Sequence, residues 1–368
     1  MIGADKMSFL NDELVKRELP PLLTMNNGAL CIPGTWRKRR TEILDILHKN
    51  IYGYTPKPPD SVTGEVIKTD DDAFAGKVIY RKINLKFDTP NGEFSFPFYF
   101  MLPKNVENPR VFLHIAFDPD IPDKYMPVEE ITDNGYAIAM FCYTDVVKDS
   151  HDGNYSQGLA AMYPMGDVRK PDEWGRIGMW AFAASRVMDY LWTCGDVDRY
   201  RVAVVGHSRL GKTALWAAAQ DERFYMAVSN NSGFGGAALS KRGSGERVAD
   251  FIRVGSWDWF CETFKTYFGK EDVNTVYDQH MLLAAIAPRR ICVGSARLDR
   301  GADPKSEFLS CVSVSEVYEL LGHYGLVTPD EYPQADTALF GGKVGYHIRD
   351  GLHYFSRTDW LRYMEWFK

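Results

Sequence analysis

The stretch at positions 202–224, VAVVGHSRLGKTALWAAAQDERF, runs from a short apolar segment through Gly206, His207 and Ser208 into a sequence that favours a helix. An apolar strand, a tight turn and a helix, in this order, are the repeating unit of an α/β protein. Ser208 therefore stands where a strand ends and a helix begins. It is either a nucleophile held on the turn or a serine that caps the helix.

Four more apolar runs surround this unit and are separated by helix-like segments, which indicates a parallel sheet covered on both faces. The runs are RVFLHIAF (110–117), GYAIAMFCY (135–143), YMAVSN (225–230) and RICVGSA (290–296). Upstream, the alternating segments GKVIYRKINLKF (76–87) and GEFSFPFYFMLP (92–103) flank the turn sequence DTPNG and predict an antiparallel hairpin. The sequence thus predicts a three-layer αβα sandwich of the α/β-hydrolase type, with a mostly parallel central sheet opened by an N-terminal hairpin.

The chain shows no internal repeat or low-complexity linker in its 368 residues, so a single domain over 1–368 is predicted. The segment TWRKRRTEILDILHKNIYGYTP (35–56) has apolar residues at helical spacing and ends in a breaker, so an N-terminal helical elaboration is expected over 1–75. The segment GRIGMWAFAASRVMDYLWTC (175–194) is the expected crossover helix that leads into the strand at 202.

Composition and charge argue against several classes of function. The formal charge is −6, from 43 basic and 49 acidic residues, so no cationic field is available to hold nucleic acid or an anionic membrane. No apolar run approaches the ~20 residues that span a bilayer, and the first residues lack the apolar core of a secretory signal. A cytoplasmic location is expected for the sequence as it reads, and a secreted or periplasmic one if a signal has been removed.

The six cysteines occur without CxxC spacing and mostly in apolar stretches, which predicts buried free thiols and no zinc site. We expect no metal and no organic cofactor. The sequence does not indicate an oligomeric state.

The serine motif resembles that of a known family. Leu210 replaces the second glycine of a strict GxSxG, but the pattern GxSRxGK from Gly206 to Lys212 resembles the nucleophile motif of the glucuronoyl esterases, carbohydrate esterase family 15. The resemblance runs from about residue 174 to the end of the chain and looks like the bacterial branch. It is carried in order by RVMDYLWTCGDVDRYRVAVVGHSR, ALWAAAQDERF, SNNSGFGGAALSKR, DQHMLLAAIAPR, GADPKSEFLS and GYHIRDGLHYFSRTDW.

An ester hydrolase needs a base for the serine and an acid that orients the base, and in this fold they follow in the order Ser, Asp or Glu, His. His353, in RDGLHYF after the last predicted strand, matches the catalytic histidine of the resembling family. His347 and His280 are expected to be structural. His207 adjoins the serine, but a neighbouring side chain on such a turn is expected to project away from the hydroxyl.

Two aspartates follow the predicted strand RICVGSA, in the segment RLDRGADP. Asp299 matches the family pattern SAxxDxWADP best, and Asp303 is the alternative. The family can also place the acid in the loop that reads NNSGFGG here, but Asn231 stands in that place and carries no charge. The resemblance therefore implies Asp299 as the acid, against the alternative of a surface aspartate in a turn.

Three more polar residues belong to the site that the resemblance implies. Arg209 would stabilise the oxyanion together with backbone N–H groups, and its unfavourable place at the positive end of a helix dipole favours a functional reason for it. Lys212 would hydrogen-bond sugar hydroxyls, and Glu246 matches a sugar-binding glutamate of the family. The alternative for each is a solvated surface side chain.

The sequence departs from the family at two positions. Gly301 stands where the family commonly has a tryptophan against the sugar, so the departure bears on the substrate more than on the reaction. An aromatic residue from 151–175 is a candidate replacement for that contact, among them Tyr155, Tyr163 and Trp174. Phe234 stands where bacterial relatives often carry a cysteine, which removes one possible disulfide and agrees with a reducing location.

The resemblance implies a serine esterase that cleaves 4-O-methylglucuronate esters between glucuronoxylan and lignin alcohols. Its partner would be a glucuronic acid ester or a xylan-derived oligosaccharide. Two alternatives stay open at this point. Another carbohydrate esterase, such as an acetyl xylan esterase, is favoured by Gly301; a catalytically silent sugar-binding relative is disfavoured by the joint presence of Ser208, His353 and Asp299.

Overall fold

A computed structural model describes residues 8–166, 168–270 and 275–368. Within these ranges the strands are β1 (Val62–Asp72), β2 (Val78–Thr89), β3 (Gly92–Pro103), β4 (Val111–Ala116), β5 (Ala137–Cys142), β6 (Val202–His207), β7 (Met226–Asn230), β8 (Arg290–Ala296), β9 (Thr337–Leu339) and β10 (Val344–Arg349). They form one sheet in the order β1-β2-β3-β5-β4-β6-β7-β8-β10-β9.

The sheet is parallel in its middle and antiparallel at both sides. Neighbours pair parallel from β5 through β4, β6, β7 and β8 to β10. β1, β2, β3 and β5 pair antiparallel, as do β9 and β10. The predicted hairpin is β2 with β3, whose register runs from Val78 opposite Pro103 to Thr89 opposite Gly92. The predicted mixed sheet is confirmed, and the carboxyl ends of β6, β8 and β10 lie along one edge.

The helices in the described ranges are α1 (Phe9–Val15), α2 (Trp36–Leu47), α3 (Ala73–Gly76), α4 (Val128–Asp133), α5 (Tyr143–Val146), α6 (Arg176–Thr193), α7 (Arg209–Gln220), α8 (Val248–Arg253), α9 (His280–Ala284), α10 (Pro304–Ser313), α11 (Ser315–Leu320) and α12 (Arg357–Phe367). α3 is a single turn that contains left-handed residues. Short 3₁₀ helices lie at Pro33–Thr35, Gly158–Met162, Ser256–Trp259 and Glu262–Tyr267, and a π turn at His48–Tyr52 continues α2. None of these helices is long and apolar enough to cross a lipid bilayer.

Alternating residues of β6 face two different cores, which gives the molecule its three layers. Val204 packs in a core with Trp180 of α6 and Leu215 of α7. Val205 packs on the opposite face of the sheet, in a core with Trp360 of α12. Every residue of β6 is buried, as expected for a strand covered on both faces.

The N-terminal region differs from the sequence-based expectation. Residues 1–7 lie outside the described ranges, and α1 and α2 are helical as predicted, but β1 extends the sheet over residues that were expected to belong to the helical elaboration 1–75. The expectation was wrong there because the sequence VTGEVIKTDDD is largely polar and the strand is exposed along most of its length. Backbone pairing with β2 holds this edge strand, and its charged residues suit an unpaired edge.

The six cysteines are all free, and five of them are buried while Cys194 is partly exposed. Burial raises the pKa of Cys194 and of Cys261 to about 11. Thiols with such raised pKa values stay protonated at neutral pH and are poor nucleophiles. The predicted free thiols are confirmed.

Candidate active site

Ser208 lies on the turn between β6 and α7 with φ 57° and ψ −126°, a conformation that residues other than glycine rarely adopt. Its N–H donates to the carbonyl of Asn230 at 2.8 Å, which ties the turn to the end of β7. The hydroxyl makes no capping hydrogen bond to α7. The capping interpretation of Ser208 is therefore wrong, and the turn is a strained elbow that presents the hydroxyl at the edge of the sheet.

Gly206 permits this elbow. A Cβ at position 206 would lie 2.1 Å from the carbonyl oxygen of Leu210, so no side chain fits between the strand and the helix. Leu210, which replaces the second glycine of the strict motif, is fully buried in the core. The glycine of this helix comes one residue later, at Gly211, where a Cβ would lie 3.1 Å from the carbonyl oxygen of Gly206.

The elbow serine, a histidine and an aspartate form a hydrogen-bonded relay. His353, in the loop after β10, places Nε2 2.9 Å from Ser208 Oγ and Nδ1 2.6 Å from Asp299 Oδ2. Asp299, in the loop after β8, is buried and also accepts from the N–H of Ala302 at 3.3 Å. A carboxylate that faces Nδ1 keeps the proton on that nitrogen, so Nε2 is free to accept the proton of the serine hydroxyl.

Asp303, the alternative acid, has a different function in the fold. It is the N-cap of α10: its carboxylate accepts from Ser306 N at 3.1 Å and from Ser306 Oγ at 2.7 Å, and it also accepts from Ser244 N at 2.6 Å. Burial opposes ionisation, but these hydrogen bonds keep the pKa of Asp303 below its usual value. Asn231, in the other loop, is buried and its side-chain amide has no partner among the described residues. The structure thus brings Asp299, and neither of these residues, to His353.

The remaining candidate histidines are structural. His347 contacts Asp359 Oδ1 at 2.8 Å through Nε2, and His280 contacts the carbonyl of Pro20 at 2.8 Å. His207 is turned away from the serine hydroxyl and places Nδ1 2.7 Å from Asn230 Oδ1. Its ring centre lies 4.6 Å from that of His353, and burial together with this second imidazole lowers the pKa of His207 to about 4. His207 is therefore neutral at neutral pH.

Arg209, the first residue of α7, is held by two residues that the sequence analysis did not single out. Its Nη1 forms an ion pair with Asp149, and its guanidinium carbon lies 4.5 Å from the centre of the Trp259 ring. The Nε–H of Arg209 is buried and has no partner among the described residues. One signal in the sequence could have found Asp149: it follows the predicted strand 135–143, whose carboxyl end lies at the same edge of the sheet as that of β6.

Lys212 and Glu246 are in contact, with Nζ and Oε2 3.2 Å apart. Only 3 % of the Lys212 side chain is exposed, against 40 % for Glu246. Lys212 also donates to the carbonyls of Ser232 and Phe234 at 2.6 and 2.7 Å. Because an ammonium group has three N–H donors, all three are used inside the protein. The expected direct contact of Lys212 with a sugar hydroxyl is therefore corrected: Lys212 supports Glu246 from beneath, and Glu246 is the exposed partner.

An open pocket of about 420 Å³ adjoins these residues. Its lining includes Glu246, Phe251, Trp259, Arg300 and Gly301. A Cβ at Gly301 would meet only Asp299 Oδ1, at 3.7 Å, so the backbone does not require glycine there. The volume lies within the range of small-molecule sites.

The aromatic residues proposed from 151–175 do not replace the missing tryptophan. Tyr155 donates its hydroxyl to the carbonyl of Asp258 at 2.8 Å, and Tyr163 packs edge-on against Trp174, with ring centres 5.3 Å apart. None of the three lines the pocket, so that expectation was wrong. Phe234 is buried with its ring centre 5.7 Å from that of Phe251, which makes it part of the pocket's support.

One group of side chains in the described ranges has the composition of a metal site. Asp149, His151 and Asp258 each place a ligand atom within 4.8 Å of the others. Both carboxylates already face guanidinium groups, because Asp149 pairs with Arg209 and Asp258 with Arg176 at 3.0 Å. Two adjacent guanidinium groups oppose the binding of a further cation, so we interpret the aspartates as counter-ions.

Comparison with known proteins gives a consistent result. A family model described as "Glucuronyl esterase, fungi" matches residues 93–322. The chain is 35% identical to carbohydrate esterase MZ0003 from an unknown prokaryotic organism, over 99% of this chain and 92% of that protein. It is 27% identical to a 4-O-methyl-glucuronoyl methylesterase of Schizophyllum commune, over 83% of this chain and 74% of that protein.

Solved structures show the same similarity. A glucuronoyl esterase from Solibacter usitatus superposes with a TM-score of 0.86 at 32% identity, covering 95% of this chain and 96% of that one. A family 15 glucuronoyl esterase from Teredinibacter turnerae gives a TM-score of 0.86 at 30% identity, covering 99% of this chain and 91% of that one.

Proposed function

The chain belongs to the glucuronoyl esterase family, carbohydrate esterase family 15, and from this membership we propose that it hydrolyses esters of glucuronic acid through Ser208, His353 and Asp299. The observation that carries the proposal is the relay itself, with 2.9 Å between Ser208 Oγ and His353 Nε2 and 2.6 Å between His353 Nδ1 and Asp299 Oδ2. This geometry is that of a serine nucleophile with its base and orienting acid.

The first half of the reaction forms an acyl-enzyme. Ser208 Oγ attacks the ester carbonyl carbon while His353 Nε2 takes the hydroxyl proton, and the carbonyl π electrons move onto the oxygen. The tetrahedral intermediate then collapses, the bond to the alcohol oxygen breaks, and His353 returns its proton to the leaving alcohol. Asp299 remains ionised and stabilises the imidazolium.

The second half releases the acid. A water molecule replaces the alcohol, and His353 takes one of its protons as it attacks the acyl carbon. The new tetrahedral intermediate expels Ser208 Oγ, which regains its proton from His353. The products are the uronic acid and the free enzyme, so no oxidant, metal or organic group is consumed.

Arg209 and the first turn of α7 stabilise the oxyanion. The first N–H groups of a helix have no intrahelical partner and point towards the end where Ser208 lies. The guanidinium adds a full positive charge, and its partly exposed end, where only Nη1 is engaged, leaves the Nη2 donors for a ligand oxygen. The charge is useful mainly while the negative oxygen exists, which is the condition for raising kcat.

The acyl group occupies the pocket that Glu246, Trp259 and Gly301 line. Glu246 accepts hydrogen bonds from sugar hydroxyls, and Lys212 fixes its carboxylate. The relative from Schizophyllum commune, a 4-O-methyl-glucuronoyl methylesterase, supports a glucuronoyl group at this place. We propose further that the natural ester joins 4-O-methylglucuronate on xylan to a lignin alcohol.

Hydrolysis of benzyl glucuronate by the intact protein and by Ser208→Ala tests the proposal. The intact protein should turn over this ester, and the variant should lose activity by about 10⁴-fold or more, because the covalent step is removed. An acetylated xylo-oligosaccharide serves as the comparison substrate. Turnover of the acetyl ester alone would agree with the serine mechanism and contradict the proposed glucuronoyl acyl group. A protein that neither hydrolyses an ester nor reacts with a serine-directed phosphonate would contradict both the mechanism and the acyl group.

A further inference from the structure

Asp149 is a buried carboxylate whose two oxygens are both engaged at the active site. Its side chain is 4 % exposed. Oδ2 pairs with Nη1 of Arg209, and Oδ1 accepts a hydrogen bond from Nε1 of Trp259 at 2.7 Å. Asp149 lies 60 residues before Arg209 in the chain and 110 before Trp259, so the fold brings together three segments that are distant in sequence.

Trp259 contacts both members of this ion pair. The indole N–H donates to Asp149, while the face of the ring lies 4.5 Å from the guanidinium carbon of Arg209. The ring is buried and packs against Phe251, with ring centres 5.8 Å apart, which restrains it. Asp149, Arg209 and Trp259 thus form a closed triangle of contacts, in which each residue restrains the other two.

Arg209 needs such restraint for the role proposed above. An arginine side chain has several rotatable bonds, and here it carries its charge at the positive end of α7, where the helix dipole repels it. Asp149 compensates this repulsion and fixes one edge of the guanidinium plane. With Nη1 engaged and Nε buried, Nη2 also has no hydrogen-bond partner among the described residues. Since 27 % of the side chain is exposed, Nη2 is the nitrogen that a ligand oxygen can reach.

We propose that Asp149 is a positioning residue for the hydrolysis: with Trp259 it holds the guanidinium of Arg209 in the orientation that meets the oxyanion. This inference rests on the proposed function of Arg209. Asp149 itself touches neither the substrate nor the reacting atoms. Its removal should therefore lower kcat through Arg209 and leave KM nearly unchanged, since substrate in the ground state carries no oxyanion.

A double-mutant cycle on Asp149→Asn and Arg209→Met tests the inference with benzyl glucuronate as the substrate. Arg209→Met should lower kcat by about 10²–10³-fold, as the loss of an oxyanion donor does. Asp149→Asn should lower kcat by about 10–100-fold with KM changed less than about 2-fold, because misplacement by about 1 Å has effects of this size. In the Arg209→Met background, Asp149→Asn should change kcat by less than about 2-fold.

Asp258→Asn is the matched control, because Asp258 is a buried aspartate of the same group that pairs with Arg176 instead of Arg209. Its effect on kcat should be the same with and without Arg209. Equal effects of Asp149→Asn in the two backgrounds would overturn the inference, since they would show that Asp149 acts on the fold and not through Arg209.

Two further measurements keep the test decisive. Trp259→Phe removes the N–H donor to Asp149 and also changes the wall of the pocket, so it should lower kcat in both backgrounds, and by a larger factor while Arg209 is present. This variant replaces Asp149→Asn if Asp149→Asn does not fold. The rate of labelling by a fluorophosphonate reports oxyanion stabilisation at Ser208 without any sugar. The wild-type protein could fail to hydrolyse glucuronate esters while the labelling rates of the Asp149→Asn and Arg209→Met variants remain non-additive. This result would contradict the proposed substrate and support the positioning role of Asp149.

Discussion

Asp299 and Asp303 are both buried, but their different hydrogen-bond partners give them different roles. Asp299 faces His353 at 2.6 Å and has one backbone donor, whereas Asp303 is surrounded by donors from Ser244 and Ser306. The first is therefore placed to orient a base, and the second to fasten the start of α10 to the loop at 244.

The two aspartates should separate catalysis from stability. Asp299→Asn should lower kcat by about 10⁴-fold with the fold retained, because an amide does not keep the required tautomer of His353. Asp303→Ala should lower the free energy of unfolding by about 1–2 kcal/mol through loss of the cap, with kcat changed only a few-fold. Steady-state kinetics and urea unfolding of both variants provide the measurement. A larger loss of kcat in Asp303→Ala than in Asp299→Asn would contradict the assignment.

At the scale of elements, the β6–α7 unit joins a strand to a helix through one strained residue, Ser208. Glycine is required at position 206, near the end of the strand, but not at the strained position 208. Ser208 keeps a positive φ because Gly206 lets the helix approach the strand and because the hydrogen bond to Asn230 anchors the turn. The surrounding core thus offsets a local conformational cost of about 1–3 kcal/mol.

This strain should be measurable in inactive variants. Ser208→Gly should be more stable than Ser208→Ala by about 0.5–2 kcal/mol, because glycine adopts φ 57° without steric cost and only part of that gain is lost to its entropy. Urea unfolding of the two proteins checks the prediction. The same pair of substitutions at Ser185, inside α6, is the control and should give the opposite order by about 1 kcal/mol. Equal stabilities of the two variants at position 208 would show that the elbow is not strained.

The sequence predicted the elements whose apolar pattern is strong and missed those held by contacts between distant segments. The buried runs at β4 to β8 and the hairpin β2–β3 are visible because burial leaves a pattern in the residues themselves. β1 is polar and exposed, so only its partner strand reveals it. The relay residues followed from chain order and family resemblance.

The supporting contacts of the site could not be predicted in the same way. Asp149 and Trp259 meet Arg209 only in the folded chain, and Lys212 looks like a free helical lysine until the carbonyls of Ser232 and Phe234 are placed around it. No local sequence pattern predicts these contacts, because the residues that make them are distant in the chain.

For the whole molecule, buried titratable groups link stability to pH from two directions. Burial lowers the pKa of His114 to about 3 and of His207 to about 4. The unfolded chain binds these protons more readily, so stability falls as pH decreases from about 6.5 towards 4.

Burial raises the pKa of Glu307 to about 8, even though Ser295, Gly233 and Ser232 donate to it. The folded state then binds more protons than the unfolded one between pH 4.5 and 8, so stability also falls as pH increases through that range.

Replacing Glu307 by glutamine should remove the second of these dependences. Glu307→Gln keeps the shape of the side chain without an ionisable group, so it should gain stability relative to the wild type by a few kcal/mol between pH 5 and pH 8. Urea unfolding at pH 5, 6.5 and 8 measures the difference. A pH-independent difference between Glu307→Gln and the wild type would mean that Glu307 is ionised in the folded protein throughout.

Gly301 lines the pocket, but the fold does not require glycine at this position. Its backbone conformation is ordinary, and a Cβ there would meet only Asp299 Oδ1, at the ordinary contact distance of 3.7 Å. The same loop carries Asp299, whose position is fixed by its buried contacts. A substitution at Gly301 therefore changes the wall of the pocket at a position whose backbone does not require glycine.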